Sequence, residues 1–392
     1  MEHKVMTMIT KQFQTPCYMF DLDRLKERME LIKSCLGDEI IPCYAMKANP
    51  FLIQPMDAYT DKYEVCSPGE YEICYRMGIA PEKIVISGVN KTLQSMDRIM
   101  DLCKGEGTFT IESEEHYRIL SEVCMKYSVK IKVLLRLSSG NQFGMDKETL
   151  EKVLILVCQD AHMELEGIHF YSGTQKKSKK IEKELAYLEE YGNYIKETYG
   201  INLKELEYGP GLTVTYFETD SPLDAKEQLL ELKAGLDQIT AFSHITIEMG
   251  RFIASTCGYY FTKVMDTKNT EGVHYAIVDG GIHHLNYYGQ IMGMKMPHIK
   301  LLGADGTRIE LEDTIPWNIC GSLCTVNDVL LKGAMLPQIQ KGDILVFENC
   351  GAYSVTEGMA LFLSRELPQI LFYSKETDFT VVREMVETNT FN

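Results

Sequence analysis

At 392 residues, with 45% hydrophobic content and well-mixed charge, this chain is too long for one small core and too apolar to be disordered, so two domains are expected. A net charge of −16 argues against a nucleic-acid partner. No apolar run is long enough to span a bilayer or to serve as a signal-peptide core, and the twelve cysteines, with no Cys-x-x-Cys pair, read as reduced thiols of a cytoplasmic protein.

Along the chain, Tyr18–Asp21 is strand-like and precedes the main pattern. From about residue 40 to 250, short β-rich runs alternate with longer amphipathic stretches. The runs are Ile40–Met46, Tyr63–Cys66, Ile84–Ser87, Phe109–Glu112, Ile131–Leu137, Leu165–Phe170, Glu205–Tyr208 and His244–Glu248. Helices are expected between them, among others over Ser67–Met77, Glu114–Tyr127 and Lys177–Thr198. Eight such alternations predict an α/β fold of the (β/α)8 barrel type, with a doubly wound open sheet as the alternative. After Arg251 the runs Tyr259–Val264, Tyr275–Val278, Ile344–Phe347, Gln369–Tyr373 and Phe379–Val382 are separated by Gly, Asn, Asp and Pro, with few helical periods. That predicts a second, mostly β domain. The expected boundaries are 36–255 for the barrel, with 1–35 and 256–392 forming a discontinuous β domain into which Tyr18–Asp21 pairs.

The chemistry gathers where strands give way to the following loops, the rim that carries reacting groups in barrel enzymes. Lys47 ends the first run, in Ile41-Pro42-Cys43-Tyr44-Ala45-Met46-Lys47. A lysine desolvated at the end of a buried strand favours its neutral amine, the form that attacks an aldehyde. Glu64 and Ser67 flank the end of the second run and Arg136 lies near the end of the fifth. His169 ends the sixth, followed by Ser172-Gly173. Gly209-Pro210-Gly211 follows the seventh, and Glu248-Met249-Gly250-Arg251 the eighth. Each has a bland counterpart: a satisfied structural histidine, an ordinary turn, a surface arginine. Together they offer an amine for an aldehyde, a flat imidazole, backbone N–H groups and a hydroxyl for a phosphate, and a carboxylate for a protonated ring nitrogen. Pyridoxal 5'-phosphate has the complementary parts. Cys320 and Cys324 lie four apart without the His and Cys partners of a zinc site, so no metal is expected.

These motifs resemble the fold-type III pyridoxal-phosphate-dependent decarboxylases, the group of diaminopimelate, ornithine and arginine decarboxylases, nearest in organisation to diaminopimelate decarboxylase. The resemblance covers nearly the whole chain. It implies a homodimer with shared active sites, a cofactor held at Lys47, and decarboxylation of an α-amino acid. Position by position, it implies that Glu64 stands for a family aspartate beside the cofactor and that Arg136 lies near the ring hydroxyl. His169 stacks on the ring and Ser172 contacts the phosphate. Gly209 and Gly211 belong to a glycine triplet with one proline, and Glu248, in a motif with Gly250 and Arg251, faces the ring nitrogen while Arg251 lies near the phosphate or the substrate. Asp279-Gly280-Gly281 opens the β domain, Gly351-Ala352-Tyr353 brings a tyrosine to the phosphate, and Cys324 is supplied by the neighbouring subunit as a proton donor. Arg251, Asp279, Thr325 and Tyr353 are then expected on the substrate side.

The departures concern the substrate. Thr325 stands where the family has an acid that grips a distal amine, and a hydroxyl gives no such charge-assisted contact. His283-His284-Leu285-Asn286-Tyr287-Tyr288 carries none of the arginine that helps diaminopimelate decarboxylases bind a distal carboxylate. Diaminopimelate is the first expectation, and a modified or carrier-linked amino acid of siderophore or antibiotic biosynthesis is the alternative. A racemase would put an arginine, not Glu248, at the ring nitrogen. A non-catalytic cofactor carrier would lack the long β domain with Cys324 and Tyr353.

Overall fold

The structure is a computed structural model that describes residues 3–287 and 292–392. Tyr288, in the segment just discussed, lies outside the described residues. The chain divides into two compact units, Arg28–Thr213 with Leu223–Ile253, and Met1–Glu27 with Val214–Pro222 and Ala254–Asn392. The segment 214–222, counted with the barrel in the sequence, thus groups with the β unit.

In chain order, β1 (Cys17–Asp21) is followed by eight strands: β2 (Ile40–Ala45), β3 (Lys62–Val65), β4 (Ile84–Ile86), β5 (Thr108–Ile111), β6 (Ile131–Arg136), β7 (Met163–Tyr171), β8 (Glu205–Gly209) and β9 (His244–Met249). These eight pair in parallel and in sequence order, and β2 pairs with β9 to close the barrel. The open-sheet alternative is thereby set aside. Burial of both faces explains why these strands read as apolar runs rather than as alternating ones. The connecting helices start where the sequence supplies caps. Ser67, Thr92, Ser113 and Asp146 each accept a backbone N–H of the following first turn. Parallel closure puts every strand's C-terminal end on one rim, and with it the residues that follow β2, β7, β8 and β9.

The β unit is built on β10 (Gly258–Thr270), β11 (Val273–Val278), β12 (Ile299–Leu302), β13 (Arg308–Ile309), β14 (Ile315–Cys320), β15 (Val329–Leu336), β16 (Ile344–Phe347), β17 (Gln369–Ser374) and β18 (Asp378–Arg383). β1 lies inside this sheet, antiparallel to β10 and parallel to β17. A helix not foreseen in the sequence, His3–Gln12, covers the sheet: Val5, Met6 and Ile9 pack on Cys17, Met19, Tyr259, Phe261 and Val346. Among the described residues no helix is long and apolar enough to cross a membrane.

Candidate functional site

β2 ends at Ala45, and a single helical turn, Met46–Ala48, carries Lys47. Met46 and Ala48 are buried on either side of it. Asn49 then stops the turn, its side chain accepting from the Phe51 N–H at 3.1 Å while Pro50 starts the next. The Lys47 side chain, 32% exposed, points its amine at two acids: Nζ donates to Glu64 Oε2 at 2.6 Å and to Glu248 Oε1 at 3.2 Å. Two carboxylates surround the amine that the sequence placed, desolvated, at the end of a buried strand.

The two acids are held differently. Glu64, on β3, accepts from the Ser87 hydroxyl and from Cys66 Sγ at 2.9 Å. Glu248, on β9, accepts from His169 Nε2 at 3.0 Å. Burial pushes the Glu248 carboxyl upward, but the charge of Lys47, the His169 hydrogen bond and the charge of Arg136 outweigh it and hold the group well below the usual carboxylate range. Gly250 explains how β9 brings Glu248 so near: a Cβ there would lie 2.8 Å from the Ala48 Cβ, so only glycine lets the end of β9 close on the Lys47 turn. Arg251 opens the helical turn immediately after.

His169 is brought to this cluster, but not as a ring with an open face. It is 1% exposed, and its Nδ1 has no partner among the described residues. Tyr171, which the sequence reading passed over, lies two residues on along β7, on the same side of the strand, half-buried at the rim and paired with Gly209. The signal for it was available, since an aromatic two residues beyond a lumen-facing histidine shares its face.

Beyond β7 and β8 the loops fold against each other. Gly211 has φ +58°, and a Cβ there would meet the Gly173 carbonyl at 2.1 Å. The Ser172 hydroxyl is bonded to Glu184 and also accepts from Lys176 Nζ at 3.2 Å. Lys176 further donates to Glu184 at 2.7 Å and to the Gly209 carbonyl at 2.9 Å, and Tyr208 donates to Glu184 at 2.7 Å. Burial draws the Lys176 amine below its ordinary value. Lys176 and Glu184 were missed because their burial is invisible in a lysine-rich helical stretch.

At the end of β6, next to His169 on β7, Arg136 donates to Glu112 at 3.1 Å and lies 4.9 Å from the centre of the Phe143 ring. Lys91, after β4, is fully buried and donates to the Gly88 carbonyl at 2.8 Å and Thr110 Oγ1 at 3.2 Å. Burial, opposed by Glu112, brings its amine down to about 8. Its position just past a barrel strand matches that of Lys47, a cue the sequence reading did not use.

The remaining expected residues belong to the β unit. Asp279 accepts from Thr15 at 2.6 Å, from Thr262 at 2.7 Å and from the Lys263 N–H at 2.9 Å, so its carboxylate ties the segment before β1 to the middle of β10. Cys324 is exposed. The Thr325 hydroxyl accepts from the Asn327 N–H at 3.3 Å. Asp328 is buried and accepts from the Ile282 and Leu323 N–H groups, each at 2.8 Å. Tyr353 is half-buried with φ +65°.

In comparison with known proteins, the pyridoxal binding domain of the pyridoxal-dependent decarboxylases matches residues 22–255. The L-glutamyl-(BtrI acyl-carrier protein) decarboxylase of Niallia circulans is 28% identical over 389 residues, covering 92% of this chain and 89% of that protein. The diaminopimelate decarboxylase of Aquifex aeolicus is 27% identical over 376 residues, covering 88% and 83%. The fold is that of the crystal structure of Helicobacter pylori diaminopimelate decarboxylase complexed with L-lysine, with a TM-score of 0.85 at 21% identity over 98% of this chain and 97% of that one.

Proposed function

This chain belongs to the pyridoxal-dependent decarboxylase family and is an amino acid decarboxylase, and on that premise we propose that it removes the α-carboxylate of a modified or carrier-linked amino acid, using pyridoxal 5'-phosphate held at the barrel rim. One observation carries the cofactor assignment. A primary amine, Lys47, on the turn that follows a barrel strand, lies against a buried carboxylate, Glu248, that is kept ionised and so calls for a cation. The donor set fits the cofactor part for part. Lys47 would hold the aldehyde, Glu248 the protonated ring nitrogen, Arg136 the ring hydroxyl side, and the backbone around Gly209 and Gly211 the phosphate. Tyr171 is the better ring for stacking, since His169 is buried behind Glu248. Bound there, pyridoxal phosphate supplies an electron sink for the carbon that loses its carboxylate.

The chain's own residues do the rest. The charge of Lys47 and the hydrogen bond from His169 hold Glu248 as an anion, which would favour a protonated ring nitrogen on a bound cofactor. Glu64 holds the Lys47 amine at 2.6 Å and steers it toward the rim. Arg251, following Glu248 through Gly250, offers a cation for the substrate carboxylate. Cys324 keeps a proton at Sγ for return to the α-carbon, provided by a second copy in a homodimer.

The substrate reading rests on what the far end would meet. Thr325 replaces an acid, while Asp279 and Asp328 are committed to Thr15, Thr262 and backbone N–H groups. Both acids are thus engaged within the β unit, and the position that would grip a free distal ammonium carries only a hydroxyl. A relative that acts on a glutamyl acyl-carrier protein supports the same reading. Diaminopimelate is the second reading, favoured by the diaminopimelate decarboxylases among the relatives. The test is CO2 release from meso-diaminopimelate and from an L-glutamyl thioester of an acyl-carrier protein. Turnover of the thioester with none of diaminopimelate is expected; efficient lysine formation from diaminopimelate would overturn the substrate assignment.

A further inference from the structure

The centre of the barrel holds an acid with no task in the scheme above. Glu207, on β8, is 0% exposed, and neither carboxyl oxygen has a hydrogen-bond partner among the described residues. Strand register sets it beside His169 on β7 and Thr246 on β9. One of its oxygens, a ring nitrogen of His169 and an oxygen of Glu248 all lie within 4.8 Å of one another. Two carboxyls this close in a dry interior cannot both ionise at modest cost.

The surrounding charges decide which one keeps the proton. Beneath Glu207, Lys62 is committed to Glu205 and to Thr246 Oγ1 at 3.1 Å. Above it, the single Lys47 ammonium already faces two carboxylates, Glu64 and Glu248. Cys43 on β2 is fully buried, its thiol pushed well above the ordinary value by that burial and by Glu207, Glu248 and Glu64. Glu207 would therefore be an anion without a cation of its own.

We propose, resting on the decarboxylase reading of the site, that Glu207 is a positioning residue that carries the proton of a split carboxyl pair and thereby leaves Glu248 as the anion facing Lys47 and His169. Burial, with the charges of Glu205, Glu248 and Glu64 and against the pull of Lys62, drives its carboxyl in the same direction, well above the usual range. Pairs of acids pushed apart in this way divide the acid and anion roles between them.

The experiment is infrared difference spectroscopy on protein free of cofactor and substrate, comparing wild type with Glu207→Gln at neutral pH. A protonated-carboxyl band is expected in the wild type and should be lost in the variant. Kinetics on the loaded enzyme accompany it. Glu207→Leu should lower kcat by about tenfold or more with KM little changed, and Glu207→Gln, which keeps a neutral hydrogen-bonding end, should recover most of that loss. The proposal is overturned if the wild type has no such band, if the band persists in Glu207→Gln, or if Leu and Gln serve equally well. Should the variants fail to fold, a pH titration of the wild-type band decides: persistence through neutral pH supports the assignment and disappearance there overturns it. Since the band is read without cofactor, its absence leaves the decarboxylase reading intact, whereas failure to release CO2 from any amino acid bears on that reading alone.

Discussion

Replacing Glu248 by Gln keeps the side chain's size and removes its charge. Glu248 accepts two charge-assisted hydrogen bonds, from Lys47 at 3.2 Å and from His169 at 3.0 Å. Such bonds are worth roughly 1.5–3 kcal/mol each and neutral ones about 1 kcal/mol, so the exchange forfeits about 1–4 kcal/mol in all. At about 1.4 kcal/mol per decade, that corresponds to a loss of about 5- to 700-fold in whatever equilibrium uses the anion. Lys47 keeps Glu64 at 2.6 Å, so no cation is stranded and the fold should survive. The assay is an absorbance titration of apoprotein with pyridoxal phosphate, alongside kcat/KM and Tm. Cofactor affinity and kcat/KM are expected to fall by that factor, with Tm lowered by a few degrees as the two bonds within the fold weaken. A change below about threefold in both, or a loss that tracks a collapse in Tm, would refute the reasoning. The sign of the acid dependence follows as well. A carboxyl held below its unfolded value stabilises the fold above about pH 4.3, and that contribution is lost as pH falls through the folded value. The Gln variant should lack this part of the acid limb.

Four further outcomes are expected. Lys47→Ala should abolish the visible absorption of bound cofactor and leave nothing fixed by borohydride; an unchanged spectrum removes Lys47 from its role. Cys324→Ala should retain cofactor but slow product formation or divert it toward transamination, and normal turnover would send the search for the proton donor to Tyr353 or His284. Gly211→Ala should weaken cofactor binding by at least about tenfold, because φ is +58° and the added methyl would meet the Gly173 carbonyl at 2.1 Å; an unaltered titration would exclude this loop from the phosphate site. Lys91, with its amine brought down to about 8, binds its proton more weakly folded than unfolded, so its contribution to stability rises with pH between about 8 and 10.4. The wild type should show that rise relative to Lys91→Met in denaturant unfolding across the range, and parallel curves would contradict it.

Local information accounts for what was legible in the chain. The eight barrel strands and the helices between them follow from periodicity and caps, which depend on neighbouring residues. So does the placement of Lys47, His169, Gly209, Gly211 and Glu248 on one rim, because parallel closure maps every strand end to the same side. The strands β12 to β15 and the helix His3–Gln12 were not read. They are short or interrupted by Gly, Pro and charge, and they are held by the sheet they join rather than by their own propensity.

Tertiary structure alone decided the partners of each charge. No spacing relates Lys47 to Glu64 and Glu248, 17 and 201 residues away, or tells that His169 is buried behind Glu248. The same strand pattern that marked Glu205–Tyr208 as a barrel strand gave no sign that Glu207 lies in the lumen without a hydrogen-bond partner among the described residues, because charge compensation is a property of the closed barrel. Residue type and local pattern determine which groups reach the rim; distances across the lumen determine which of them are ionised, and so what they can do.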